Sequence, residues 1–130
     1  MKPRRLLIVE DECVLAMDLE ARLSDLGYSV CDTASTGAAA IAAANLLLPD
    51  LILMDIHLSG DMDGIAATME IHNNHAIPVI FMSAYGDEET QQRAQAVGHS
   101  GFLSKLTDDM DLQEAIETIL ARCRDIGAAK

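Results

Sequence analysis

Five side chains in this 130-residue sequence could do chemistry together: Glu10, Asp11, Asp55, Ser83 and Lys105. Each stands at the end of a short, mostly apolar run. Leu51-Ile52-Leu53-Met54 leads without a break into Asp55, and Arg5-Leu6-Leu7-Ile8-Val9 leads into Glu10-Asp11. Pro78-Val79-Ile80-Phe81-Met82 ends in Ser83, and Gly101-Phe102-Leu103-Ser104 ends at Lys105. Carboxylate oxygens are hard ligands, and magnesium prefers a few of them together with waters and phosphate oxygens. An aspartate beside such a metal can act as a nucleophile towards a phosphoryl group. That group spreads its charge over its oxygens, so the site has to supply cations and hydrogen-bond donors. Magnesium, the Lys105 ammonium and the Ser83 hydroxyl are of that kind. The chemistry implied is covalent phosphorylation of Asp55.

Taken singly, each residue has an ordinary reading. Among 21 acids, a pair at a strand end means little. Asp55 could cap the following turn, Ser83 could be a turn residue and Lys105 a solvated charge. The argument rests on the whole set, in chain order, as one geometric hypothesis.

The positioning elements follow from the hydrophobic pattern. A short continuous apolar run reads as a strand buried on both faces, as in a parallel sheet. Behind the first run, Leu15, Leu19, Leu23 and Leu26 recur at helical spacing, and Gly27 stops that helix. Tyr28-Ser29-Val30-Cys31 reads as a second strand. Thr36-Gly37 opens an Ala-rich helix to about Leu48, closed by Pro49. After the third strand comes a loop with two glycines and two acids. Gly64 to Asn73 then reads as a helix with Ile65, Met69 and Ile71 as its apolar positions. Asp87 to Val97 reads as a helix whose face is only Ala94, Ala96 and Val97, so it should be the least firmly packed. The last helix spans about Asp108 to Asp125, with Leu112, Ile116, Ile119, Leu120 and Cys123 as its buried stripe. Five strands alternating with five helices predict an α/β fold, a parallel sheet covered on both faces. In such sheets ligands bind at the carboxyl ends of the strands, where the five side chains would meet.

Composition narrows the function. The chain is 50% hydrophobic, enough for a sizeable core, but only 3% aromatic. A net charge of -12 repels phosphate backbones and argues against nucleic-acid binding. No apolar run is long enough for a membrane span, and no signal-peptide pattern leads the chain. The three cysteines, Cys13, Cys31 and Cys123, fit neither a disulfide framework nor a metal knuckle and read as buried reduced thiols in a cytoplasmic protein. The seven methionines read as core filler. His72 and His75 read as surface residues, since a zinc site needs more ligands. Residues 1–130 read as one domain.

At this point the sequence resembles the receiver domain of bacterial two-component response regulators. The likeness is carried by Ile8-Val9-Glu10-Asp11-Glu12, Leu53-Met54-Asp55-Ile56, Met62-Asp63-Gly64-Ile65, Met82-Ser83-Ala84-Tyr85 and Phe102-Leu103-Ser104-Lys105. The resemblance implies a flavodoxin-like three-layer sandwich with strand order 2-1-3-4-5. It implies that Asp55 accepts a phosphoryl group from a phosphohistidine on a histidine kinase or a histidine phosphotransfer protein. Asp11 and Asp55 would bind Mg2+, with Mn2+ as the alternative, Glu10 acting through water and the His57 carbonyl as a further ligand. Ser83 would hydrogen-bond the phosphoryl group and Lys105 would pair with it. Phe102 matches the family's switch aromatic, and His57 and Tyr85 stand where phosphate lifetime is tuned. The fourth helix, fifth strand and fifth helix would form the signalling face, the one through which a homodimer would form, and the output would be read by a downstream protein. The chain would catalyse only its own phosphorylation and dephosphorylation and turn over no external substrate. Leu106 stands where the family has a cis proline, Ser59 where proline is common, and Asp61 reads as one added residue.

Four rivals remain open on sequence. A relay intermediate or phosphate sink uses the same site. A phosphohydrolase would need a second aspartate at position 57. A flavin carrier would need a Ser, Thr and Gly-rich loop where Glu10-Asp11-Glu12 stands. A receiver-like interaction module would never be phosphorylated.

Overall fold

The apolar runs become the centre of a parallel sheet. A computed structural model describes residues 2–84 and 88–128, with 123–128 described by backbone alone. In chain order the elements are β1 (Arg5–Val9), α1 (Cys13–Asp25), β2 (Ser29–Ala34), α2 (Gly37–Leu47), β3 (Leu51–Asp55), α3 (Gly64–His72), β4 (Val79–Ser83), α4 (Glu88–Gln95), β5 (Ser100–Ser104) and α5 (Asp109–Ala128). The strands pair in parallel in the order β2-β1-β3-β4-β5, the flavodoxin-like order. Side chains alternate across a pleated strand, so each central strand feeds two cores. Leu6, Ile8, Leu51 and Leu53 meet α1 and α5 through Leu19, Leu23, Leu112 and Ile116. Leu7, Val9, Ile52 and Met54 meet α2, α3 and α4 through Ala40, Ala44, Ile65, Ile71 and Ala94.

Several expectations need correction. Leu15 is exposed, and Ala16 takes its place on the buried face of α1. Met69 is exposed, and α3 packs through Ile65, Ala67, Thr68 and Ile71. The buried stripe of α1 is Ala16, Leu19 and Leu23, starting one position after Leu15, and in α3 Ile71 falls on the buried side while Met69 does not. Ala96 is also exposed, which leaves α4 only Thr90 and Ala94 as buried residues. The second strand begins at Ser29 and continues beyond Cys31 to Ala34, past a register shift opposite Leu6 and Leu7. Its polar half lies on the sheet edge, where Asp32 and Thr33 face water, so hydropathy gave no sign of it. Met54 and Met82 are core residues, but Met17, Met69 and Met110 are exposed. Cys13 is exposed and Cys31 half-buried, so neither is a fully buried thiol. His72 is half-buried, bonds the Ile77 carbonyl at 2.7 Å and meets the His99 ring edge-on. Tyr85, Asp87 and the Cys123 side chain lie outside the described residues.

Candidate functional site

The site forms where β1, β3 and β5 release the chain at their carboxyl ends. Asp55 closes β3 and is 3% exposed; Glu10 follows β1 and is 7% exposed. Such burial of two carboxylates demands compensation. Lys105, directly after β5, supplies it: its Nζ lies 2.8 Å from Glu10 Oε1 and 3.1 Å from Asp55 Oδ2. The Lys105 backbone N–H donates to the Ser83 carbonyl at 3.0 Å, which registers the lysine against β4. The His57 N–H donates to Asp55 Oδ1 at 3.1 Å, so both carboxylate oxygens are held. Ser83 ends β4 one residue beyond Met82, the cross-strand neighbour of Asp55, and is buried.

Asp11 arrives from the same turn as Glu10 but is half-buried. Ser59 holds it from the β3–α3 loop: the Ser59 hydroxyl and N–H donate to Asp11 Oδ2 at 2.7 and 3.2 Å. These hydrogen bonds lower the Asp11 pKa. Burial pushes the Glu10 carboxyl up to about 7, reinforced by Asp55 and opposed by Lys105. Burial alone would lower the Lys105 pKa, but its bonds to Glu10 and Asp55 outweigh that and raise it.

Glu10, Asp11 and Asp55 each offer an oxygen within 4.8 Å of the others. Three carboxylates against one ammonium leave the cluster short of positive charge. That donor set, all hard oxygen with two members buried, suits a divalent cation of the magnesium class. A groove of about 610 Å³ between α3 and α4 lies elsewhere and is lined by Met69, His72, Arg93 and Val97 among others.

The loop between Asp55 and α3 is shaped by two glycines. A Cβ on Gly64 would fall 2.1 Å from the Asp55 carbonyl oxygen, so only glycine lets α3 start this close to the site. Gly60 has φ +101°, a left-handed turn directly after Ser59. Asp63 caps α3 by accepting the Ala66 N–H at 2.8 Å.

The remaining predicted residues fall around this centre. His57 is exposed. Phe102 is half-buried on β5 beside Phe81 and packs against the cluster that includes Ala94. The Lys105–Leu106 bond is trans, like every described peptide bond. Leu106 donates the N–H that a proline would lack to Ser104 Oγ at 3.1 Å, and its side chain is exposed. Sequence reasoning missed two supports. Ser59 was visible only as a non-proline, with nothing to name Asp11 as its partner. Arg22, which carried no expectation from the sequence, bonds the Thr107 carbonyl at 2.8 Å and Asp109 at 2.5 Å, tying the β5–α5 loop to α1.

Comparison with known proteins agrees with this geometry. The family model of the response regulator receiver domain matches residues 6–117. The transcriptional regulatory protein PdtaR of Mycobacterium tuberculosis is 36% identical over 97% of this chain and 61% of its own length. ZraR of Salmonella typhimurium is 37% identical over 95% of this chain and 28% of its own. The chain thus spans less than two thirds of these curated relatives. The signal receiver domain of a modulated diguanylate cyclase from Desulfovibrio desulfuricans G20 superposes with a TM-score of 0.85, at 34% identity over 92% of this chain and 95% of that one. A chain of the CheX-CheY-BeF3-Mg2+ complex from Borrelia burgdorferi gives 0.82, at 25% identity over 90% of this chain and 89% of that one.

Proposed function

The chain belongs to the response regulator receiver family, a family of two-component signalling, and from that premise we propose that Asp55 accepts a phosphoryl group from a phosphohistidine on a partner protein. The observation that carries this is the convergence of Asp55, Glu10, Asp11 and Lys105 at one sheet edge. An Asp55 oxygen attacks phosphorus, the phosphorus–nitrogen bond breaks and the imidazole leaves with the bonding pair. The product is an acyl phosphate. Attack of water on phosphorus later returns the carboxylate and inorganic phosphate.

The chain's own residues prepare that step. Lys105 and the His57 N–H hold one Asp55 oxygen each, fixing the nucleophile's orientation. After transfer, Lys105 pairs with the phosphoryl oxygens and the Ser83 hydroxyl donates to them. Asp11 and Asp55 would hold magnesium, with Glu10 acting through water and the His57 carbonyl as a further ligand; the ion supplies charge neutralisation for the phosphoryl oxygens. The Borrelia relative's complex contains BeF3 and Mg2+, which supports the same ligand class here.

The donor is a histidine kinase or a histidine phosphotransfer protein. The rim supports a protein donor: Val14 and Leu106 are 77% and 88% exposed, and Leu15 lines one small cavity with Glu10 and Lys105. The output is switched protein interaction through α4, β5 and α5, with Phe102 as the moving aromatic. The protein acts in the cytoplasm, and no described helix is long and apolar enough to cross a membrane. It turns over no external substrate.

The test is intact mass after incubation with acetyl phosphate and magnesium. Wild type is expected to gain one phosphoryl group, and neither Asp55→Asn nor a magnesium-free sample gains one. If neither acetyl phosphate nor a purified histidine phosphotransfer protein labels wild type, the proposal falls.

A further inference from the structure

The β3–α3 loop crosses the site and grips a metal-ligand candidate from outside. Ser59 lies four residues after Asp55, yet both of its donors reach Asp11, 48 positions earlier in the chain. A left-handed turn at Gly60 follows Ser59 directly. Both bonds fall on the same oxygen, Oδ2. The other oxygen, Oδ1, takes neither Ser59 bond, and one Asp11 carboxylate oxygen lies within 4.8 Å of oxygens of Glu10 and Asp55. Asp11 needs such a brace more than its neighbours do. Glu10 and Asp55 are buried and clamped by Lys105, whereas Asp11 stands half in water on a turn.

We propose that Ser59 is a positioning residue that orients Asp11 for the divalent cation by occupying one carboxylate oxygen through its hydroxyl and backbone N–H. Carboxylates that bind metals are in general hydrogen-bonded in turn, and removing such a partner weakens binding by about 10–100-fold. The two donors make a graded series. Alanine keeps the N–H and loses the hydroxyl. Threonine keeps both. Proline, common at this place in the family, loses both. This inference rests on the reading of Asp11 as a magnesium ligand.

The experiment is a titration of the full chain with Mn2+, following free ion by electron paramagnetic resonance, with no phosphodonor present. Wild type, Ser59→Thr, Ser59→Ala, Ser59→Pro and Asp11→Asn are compared, and urea unfolding of each metal-free protein checks the fold. Ser59→Thr is expected to bind within about twofold of wild type, Ser59→Ala about tenfold more weakly, and Ser59→Pro at least as weakly as Ser59→Ala, with metal-free stability unchanged. If Ser59→Ala binds as tightly as wild type or tighter, or if Ser59→Thr falls with Ser59→Ala, the assignment of Ser59 is overturned. If wild type takes up no manganese, or Asp11→Asn binds as wild type does, the reading beneath it falls instead.

Discussion

β3 and β5 each deliver one half of the central ion pair, and they are built differently. Every residue of β3 is buried, from Leu51 to Asp55. On β5 the first four residues are half-buried and Ser104 is exposed. β3 lies mid-sheet between β1 and β4, while β5 is an edge strand overlain by the sparsely anchored α4. Apolar packing on both sides fixes the strand that carries Asp55. The strand that carries Lys105 and Phe102 has fewer buried contacts, which makes its opening less costly. The asymmetry fits a site in which Asp55 stays put and its surroundings respond.

The largest effect is expected where the β3 end is most crowded. Gly64→Ala drives a Cβ towards the Asp55 carbonyl, so the strand end or α3 has to move. We expect a loss of about 3 kcal/mol in urea unfolding and a fall of about 100-fold in the rate of Asp55 labelling. A matched pair probes the strands themselves. Leu53→Ala removes a fully buried side chain and should cost about 2–5 kcal/mol, whereas Leu103→Ala on β5 should cost about 1–2 kcal/mol. Equal losses would break the comparison.

The pH dependence of stability sharpens it from the side of the charges. Glu10 has its folded pKa raised from 4.5 to about 7, so the folded form holds the proton more tightly. Its contribution is complete below pH 4.5 and is lost as pH rises through about 7. Metal-free protein should therefore lose about 1–3 kcal/mol across that window by urea unfolding, and Glu10→Gln should flatten the decline. Asp11, whose pKa is lowered, acts only on the acid side, where stability falls as it protonates. The smallest effect is expected for Arg22→Ala. It frees the β5–α5 loop from α1 but removes a partly exposed ion pair, so about 1 kcal/mol or less is expected in thermal unfolding.

The central strands and the gathering of Glu10, Asp11, Asp55 and Lys105 at their ends were legible because unbroken apolar runs lead into those residues as one set in chain order. The topology was legible through the family resemblance. What hydropathy misread was helix phase. Ala16 shares its buried face with Leu19 and Leu23, and Ala67 with Ile71, while Leu15 and Met69 are exposed. The outer half of β2 was invisible because an edge strand keeps its polar residues in water. Ser59 and Arg22 act through partners 48 and 87 positions away, which no local pattern announces.

The most direct test of the account maps the phosphoryl group chemically. Wild type labelled with acetyl phosphate and magnesium would be reduced with borohydride, which converts an aspartyl phosphate to homoserine, and the peptides read by tandem mass spectrometry. The account predicts homoserine at position 55 alone. Homoserine at position 11, phosphate on His57, or no modified peptide from a labelled sample would contradict it.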